Sequence, residues 1–320
     1  MLRVVLRSER RAAPPVYDGD FPDPFVLPAP GGRYFAYGTQ TGDINVQVME
    51  SAELAHWEHR GDALPRLPPW AGWGRTWAPA VLERDGGYRL YYAVRYEAAG
   101  RQAISVAAGR DPAGPFVDRS EGPLIFQEDR GGSIDPSPFV DADGTAYLLW
   151  KSDDNAIGGT AALWGAPLER DGRALAGPPV ELLRHDAAWE DPLVEAPSLA
   201  RIGDPGRSGG VPRESYVLFY SGGWWESDGY AIGYATAATP LGPFRKETAD
   251  GPWLASAPGM AGPGGAEVFI DAGGQWRLAF HAWTPPQVGY EAGGARSLWI
   301  GRLSFENGRP RLAPGATPAT

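Results

Sequence analysis

The sequence predicts an all-β fold, a single-domain five-bladed β-propeller, on three observations. An aromatic strand-like run recurs five times, a further strand precedes and follows each run, and the resulting units repeat at roughly 55 to 70 residues, a spacing typical of propeller blades. In chain order the central runs lie at 34–38, 88–92, 147–150, 216–220 and 276–280. Most follow a tight-turn signal such as Asp85-Gly86-Gly87, Asp143-Gly144 or Gly273-Gly274, where glycine supplies the backbone freedom of a hairpin. The preceding strands begin near Asp23, Trp77, Asp135, Glu195 and Gly265, and the following ones occupy 44–49, 103–107, 161–166, 230–235 and 297–303. Asp111-Pro112-Ala113-Gly114-Pro115-Phe116 and Thr239-Pro240-Leu241-Gly242-Pro243-Phe244 echo one another and close the second and fourth units. A two-sheet sandwich also has short strands and frequent turns, but it does not explain why an acid-proline pattern returns at the same point of the unit. Helical signals are weak, with a single turn expected at 51–57. The propeller is assigned to residues 17–305, and residues 1–16 and 306–320, rich in Pro, Ala and Arg, read as loose tails.

Composition bounds the function. The 320 residues carry a net charge of −10, from 29 basic and 39 acidic side chains. With no long run of Lys and Arg, nucleic acid is not an expected partner. The absence of cysteine removes disulfides, thiolate metal sites and thiol nucleophiles. No apolar stretch is long enough to span a bilayer, so no membrane partner is expected. Charges interrupt Met1-Leu2-Arg3-Val4-Val5-Leu6-Arg7, so no signal peptide is legible and a cytoplasmic location is expected, a trimmed secreted chain being the alternative. The oligomeric state is left open. Gly 44 and Pro 32 make about a quarter of the chain, a level at which disorder is a fair suspicion. The 13 Trp, 13 Tyr and 11 Phe argue instead for many turns joining aromatic-rich strands.

Three carboxylates stand in a similar setting, Asp23-Pro24-Phe25-Val26, Asp135-Pro136-Ser137-Pro138-Phe139 and Glu195-Ala196-Pro197-Ser198-Leu199. Each precedes a proline and a short apolar run, which reads as the start of a strand, where a missing N–H costs least. In a propeller the innermost strand of every blade runs along the central channel, so these acids converge at one mouth of it. Trp77-Ala78-Pro79 matches Glu195-Ala196-Pro197 position for position, which sets a flat indole beside the acids, a surface on which a sugar ring stacks. Cleaving a glycosidic bond needs one acid to protonate the leaving oxygen and one carboxylate to activate water or attack carbon. Two acids suffice and a third can tune them, because crowded like charges raise the pKa of at least one member.

From about Tyr17 to Leu303 the chain resembles glycoside hydrolase family 43, the five-bladed propeller enzymes that act on arabinose- and xylose-containing glycans. The resemblance rests on Phe21-Pro22-Asp23-Pro24, Thr76-Trp77-Ala78-Pro79, Ser133-Ile134-Asp135-Pro136-Ser137-Pro138-Phe139, Val194-Glu195-Ala196-Pro197, Gly262-Pro263-Gly264-Gly265 and Phe280-His281-Ala282, taken in this order at blade spacing. It implies Asp23 as general base, Glu195 as general acid and Asp135 as the residue that sets the acid's pKa and orientation. It also implies inversion, with base and acid about 6.5–9.5 Å apart, and an arabinose- or xylose-containing oligosaccharide as substrate. An exo mode on short oligosaccharides is expected separately, from the missing export signal and the absence of an appended binding module. No cofactor is required. Relatives often carry a His after Gly-Pro-Gly, where this chain has Gly265, so a structural calcium in the channel would have to rest on His281, through water. The alternative function is a non-catalytic sugar-binding propeller. The fructan-acting propellers are set aside because their Trp-x-Asn-Asp-Pro-Asn opening is missing.

Phe25, Trp73, Trp77, Trp224 and Arg296 complete the expected substrate-binding set. Trp70 and Trp73 precede Trp77 as a possible rim, and Trp224-Trp225 end a strand where a loop leans over the channel mouth. Arg296 offers a cation that relieves repulsion among the acids or holds a hydroxyl. Asp141 and Asp143 read as hairpin-turn residues, Asp153-Asp154 as solvated loop charge, and His56, His59 and His185 as ordinary surface histidines.

Overall fold

The computed structural model describes residues 12–203 and 214–313. Five antiparallel sheets follow one another in sequence. The first blade is β1 (Phe25–Ala29), β2 (Arg33–Gly38), β3 (Gln47–Ser51) and β4 (Glu58–Asp62), and the second is β5 (Ala71–Arg84), β6 (Gly87–Tyr96) and β7 (Arg101–Gly109). The third is β8 (Ser133–Val140), β9 (Ala146–Ser152), β10 (Ala162–Pro167) and β11 (Val180–Arg184), and the fourth is β12 (Val194–Gly203), β13 (Glu214–Gly222), β14 (Ala231–Ala237) and β15 (Arg245–Lys246). The fifth is β16 (Ala261–Ile270), β17 (Trp276–Trp283), β18 (Arg296–Glu306) and β19 (Arg309–Ala313). The arrangement is the five-bladed propeller that the repeat predicts.

Alternation along the second strand of each blade welds the ring together. In β6, Leu90 and Tyr92 pack with Phe25 and Tyr37 of the first blade, while Tyr91 between them packs with Leu148 and Trp150 of the third. This is the two-residue period of a strand buried on both faces. The same pattern gives five apolar clusters, one at each junction of neighbouring blades, including the closing junction where Val26 and Ala36 meet Phe269, Ala279 and Leu298. The inner strands β1, β5, β8, β12 and β16 lie beside one another around the axis.

Three expectations need correction. Residues 309–313, read as part of a loose tail, form β19 and pair with β18 from Arg302↔Ala313 to Glu306↔Arg309. At the other end residues 1–11 lie outside the described residues, but the stretch after them is anchored: the Ala12 N–H donates to the Pro258 carbonyl at 2.9 Å and the Val16 N–H to that of Leu298 at 2.9 Å. The turn expected at 51–57 is a series of bends rather than a helix, because the Ser51 hydroxyl accepts the Glu53 and Leu54 N–H groups and Leu54 adopts φ 68°.

Candidate active site

Every inner strand carries the same distortion at or near the channel mouth. Asp23, Ala78, Asp135, Ala196 and Gly265 all have positive φ, between 44° and 60°. A proline follows each of the first four, and the strand pairing of blades two to five slips at this point. A residue in the left-handed region followed by one with no N–H interrupts the ladder, which is a bulge that re-aims neighbouring side chains. Such strain in non-glycine residues persists only where the surroundings enforce it. Aligning the bulges corrects one expectation. Asp23 and Asp135 are themselves the left-handed residues, whereas Glu195 stands one residue earlier, on the position of Trp77 and Gly264. The three acids are therefore not placed alike; Glu195 reaches the mouth from one step upstream.

All three nevertheless line one hollow of about 530 Å³, with Trp77, Lys151 and Arg296 among its walls. Asp23 Oδ2 accepts the Thr39 hydroxyl at 2.6 Å, its Oδ1 lies 3.5 Å from Arg296 Nη1, and its backbone N–H donates to His281 Nδ1 at 3.0 Å. Asp135 Oδ2 accepts the Ala196 N–H at 2.9 Å, so the third blade is tied to the fourth through the site. Glu195 Oε1 accepts the Tyr230 hydroxyl at 2.7 Å, and its Oε2 faces Lys151 Nζ at 3.3 Å. Arg296 is itself held: its backbone N–H donates to Asp20 at 2.9 Å, its guanidinium donates to the Tyr290 hydroxyl, and its plane lies over Trp225, 4.6 Å from the ring centre.

Electrostatics separates the acids. Burial alone would raise Asp23, but the Arg296 guanidinium, the His281 ring and the Thr39 hydroxyl outweigh it and hold the carboxyl below its ordinary value. Asp135 goes the other way: burial first, then the adjacent Glu195, push it well above the carboxylate range against the pull of Lys151. Burial lowers His281 to about 3, so its imidazole is neutral, and accepting at Nδ1 places its proton on Nε2.

Of the expected binding residues, Trp77, Trp224 and Arg296 line the hollow. Phe25 does not; it is buried in the cluster between blades one and two, tilted against Tyr37, because the left-handed Asp23 and the proline after it break the strand alternation that would otherwise keep residue 25 on the face of Asp23. Trp73 does not line it either and projects into solvent, 65% exposed, from the outer stretch of β5. Asp153, read as solvated charge, lines the hollow and lies 3.3 Å from Lys151 Nζ, and Asp154 is buried on the Ser152 hydroxyl. Tyr230, Lys151, Thr39, Asp20 and Tyr290 went unnoticed in the sequence. Lys151, Thr39 and Tyr230 sit at or next to strand ends and Asp20 and Tyr290 in connecting segments, and no spacing signal marks them. His281 reaches the site, but its Nδ1 is occupied by the Asp23 N–H, and among the described residues no three or more His, Asp or Glu gather as a metal set. Calcium takes six to eight oxygen ligands, so the side chains around His281 do not fit such an ion as direct ligands.

With this geometry in hand, comparison with known proteins is informative. A model of "Glycosyl hydrolases family 43" matches residues 12–310. Among solved structures, a thermostable family-43 glycoside hydrolase superposes with a TM-score of 0.80 at 29% identity, covering 97% of this chain and 98% of that one. Among curated proteins, a xylosidase/arabinosidase of Butyrivibrio fibrisolvens is 24% identical over 94% of this chain and 56% of its own length. An arabinoxylan arabinofuranohydrolase of Bacillus subtilis (strain 168) is 27% identical over 81% of this chain and 52% of its own. The chain thus spans a little over half the length of these curated relatives. Since the family match runs through all five blades and every residue of the acid triplet, the chain belongs to glycosyl hydrolases family 43.

Proposed function

We propose that this protein hydrolyses α-L-arabinofuranosyl or β-D-xylosyl linkages at the ends of short glycans, with inversion at the anomeric carbon. The observation that carries the reading is the convergence of Asp23, Asp135 and Glu195 on one hollow beside Trp77. Asp23, kept ionised by Arg296 and Thr39, takes a proton from water as that water attacks the anomeric carbon. Glu195 delivers a proton to the departing oxygen from the opposite side. Asp135, raised by burial and by Glu195, keeps the pair from ionising twice, so one proton remains available near neutral pH. Trp77 offers a face for ring stacking and Arg296 a fork for hydroxyls. A hollow of about 530 Å³ falls within the usual range of small-ligand clefts, which favours the end of a chain over a long run of it.

Nitrophenyl α-L-arabinofuranoside and β-D-xyloside, followed by defined oligosaccharides with NMR of the first-released anomer, test this reading. We expect hydrolysis of at least one glycoside with the inverted anomer appearing first. Binding of such glycans without turnover would favour the sugar-binding alternative, and release of the retained anomer would remove Asp23 from its role as base.

A further inference from the structure

Blade five departs from the others at the channel mouth. Where blades two and four present Trp77 and Glu195 it has Gly264, and where blades one and three present Asp23 and Asp135 it has Gly265. Two rings fill the space. A Cβ at Gly264 would overlap the Tyr230 ring, and one at Gly265 would come within 2.7 Å of His281 Nδ1. Tyr230 and His281 stack, with centroids 5.8 Å apart and planes 11° from parallel, and both are buried. Each ring holds one of the two acids of the proposed reaction: the Tyr230 hydroxyl donates to Glu195 Oε1, and His281 Nδ1 accepts the Asp23 N–H.

We propose that Tyr230 is a positioning residue for the proton-donating step, fixing Glu195 from a ring that is itself stacked on His281 and reserving Oε1 as an acceptor so that Oε2 carries the transferable proton. The inference rests on the hydrolase reading above. Burial and the neighbouring Glu195 push the Tyr230 phenol well above its ordinary range, so it stays protonated and acts as a donor throughout. A second donor, Lys151, stands by Oε2 at 3.3 Å without closing it off, since it is shared with Asp153. In the step itself the Oε2–H bond breaks, its proton goes to the glycosidic oxygen as the C–O bond breaks, and Glu195 is left as a carboxylate stabilised by the Tyr230 hydroxyl. Glycines 264 and 265 keep the two rings in place, which links the position of acid to that of base.

Tyr230→Phe keeps the ring and its stack while removing the hydroxyl. The full-length variant is compared with wild type on an unactivated disaccharide and on a dinitrophenyl glycoside of the same sugar, whose leaving group departs without protonation. General-acid effects are typically 10²–10⁴-fold, so kcat on the disaccharide should fall at least ~10-fold, with KM and the rate on the dinitrophenyl glycoside changing less than about threefold. Gly264→Ala, which crowds the Tyr230 ring, should give the same leaving-group-dependent loss if Tyr230→Phe folds poorly. Equal losses on both substrates, or full activity on both, would overturn the positioning role. A wild-type protein that cleaves neither substrate overturns the hydrolase reading and this proposal together, a result visible before any substitution is made.

Discussion

Asp23 is ionised because of its neighbours and in spite of its burial, and Asp135 is its mirror, so the two have opposite consequences when removed or titrated. In the proposed reaction Asp23→Asn takes away the base that accepts the water's proton, and Glu195→Gln the acid that protonates the leaving oxygen. Each should lower kcat by roughly 10³-fold or more, with melting temperatures close to wild type in a thermal scan; near-normal turnover in either would reassign the roles. Stability has its own pH signature at a carboxyl deeper in the channel. Glu267 lines the narrow space beneath the acids, with the Ser137 hydroxyl 3.4 Å from its Oε2, and burial raises it to about 8. Between an ordinary glutamate value and about 8, the folded protein keeps a proton that the unfolded chain has released. Stability therefore falls as pH rises through that window and stays reduced above it. A shift of this size corresponds to a few kcal/mol, discounted to ~1–2 kcal/mol because Glu267 is only partly buried. Glu267→Gln, neutral at every pH, should match wild type near pH 5 and exceed it by that amount near pH 9 in denaturant melts; parallel pH curves for the two proteins would refute it.

At the scale of elements, the bulge that opens each inner strand is the device that makes the site, and it is also a stored cost. Ala78 sits at φ 44°, where an L-residue loses ~1–2 kcal/mol relative to its right-handed conformation. Glycine removes that penalty but adds ~0.4–1 kcal/mol of unfolded-state entropy. Ala78→Gly should thus be neutral or stabilising by about 0.5 kcal/mol in urea melts, although a glycine in a regular strand destabilises; a loss above ~1 kcal/mol would mean the φ is not strained. The prolines that mark these bulges are what made the inner strands legible in the sequence, because a missing N–H is tolerated in few places on a sheet. The one-residue offset of Glu195 was hidden for the same reason, since an acid before Pro and an acid before Ala-Pro look alike until the bulges are aligned. Lys151 and Tyr230 were not legible as site residues: Lys151 is a single charged residue near the end of β9 and Tyr230 a single one just before β14, and only the folded blades turn them toward Glu195, Lys151 from the neighbouring blade and Tyr230 from within the same one. Phe25 and Trp73 erred in the opposite sense, as adjacency to a motif says nothing about which face of a strand a side chain takes.

For the whole molecule, the question is how a ring of five similar blades closes. The repeat made the number of blades legible, yet the closure was not, because its two contributors lie in Pro- and Arg-rich ends that carry little apolar periodicity. Arg309–Ala313 covers the second half of β18, with Leu312 packed over Gly301, while residues 16–21 run along the first half. The same N-terminal segment then leads into Asp20 and Asp23, so closing the ring and building the site are one event. Phe21 N–H donates to the Arg296 carbonyl at 2.9 Å, and Asp20 accepts the Arg296 N–H in return. A chain beginning at Asp18 would lose four backbone hydrogen bonds, from Ala12 to Pro258 and in the exchanges of Val16 and Tyr17 with Leu298. It would also lose the Tyr17 ring packed edge-on to Phe21. At ~1 kcal/mol for each bond the truncation should cost on the order of 4 kcal/mol, a large part of a typical domain's stability. Activity should fall with it even at temperatures where the protein stays folded, because the Asp20–Arg296–Asp23 network loses its upstream anchor. Thermal melts paired with kcat at low temperature separate the two effects: an unchanged melting point would show that the blades close without this segment, and full activity would show that Arg296 holds Asp23 unaided.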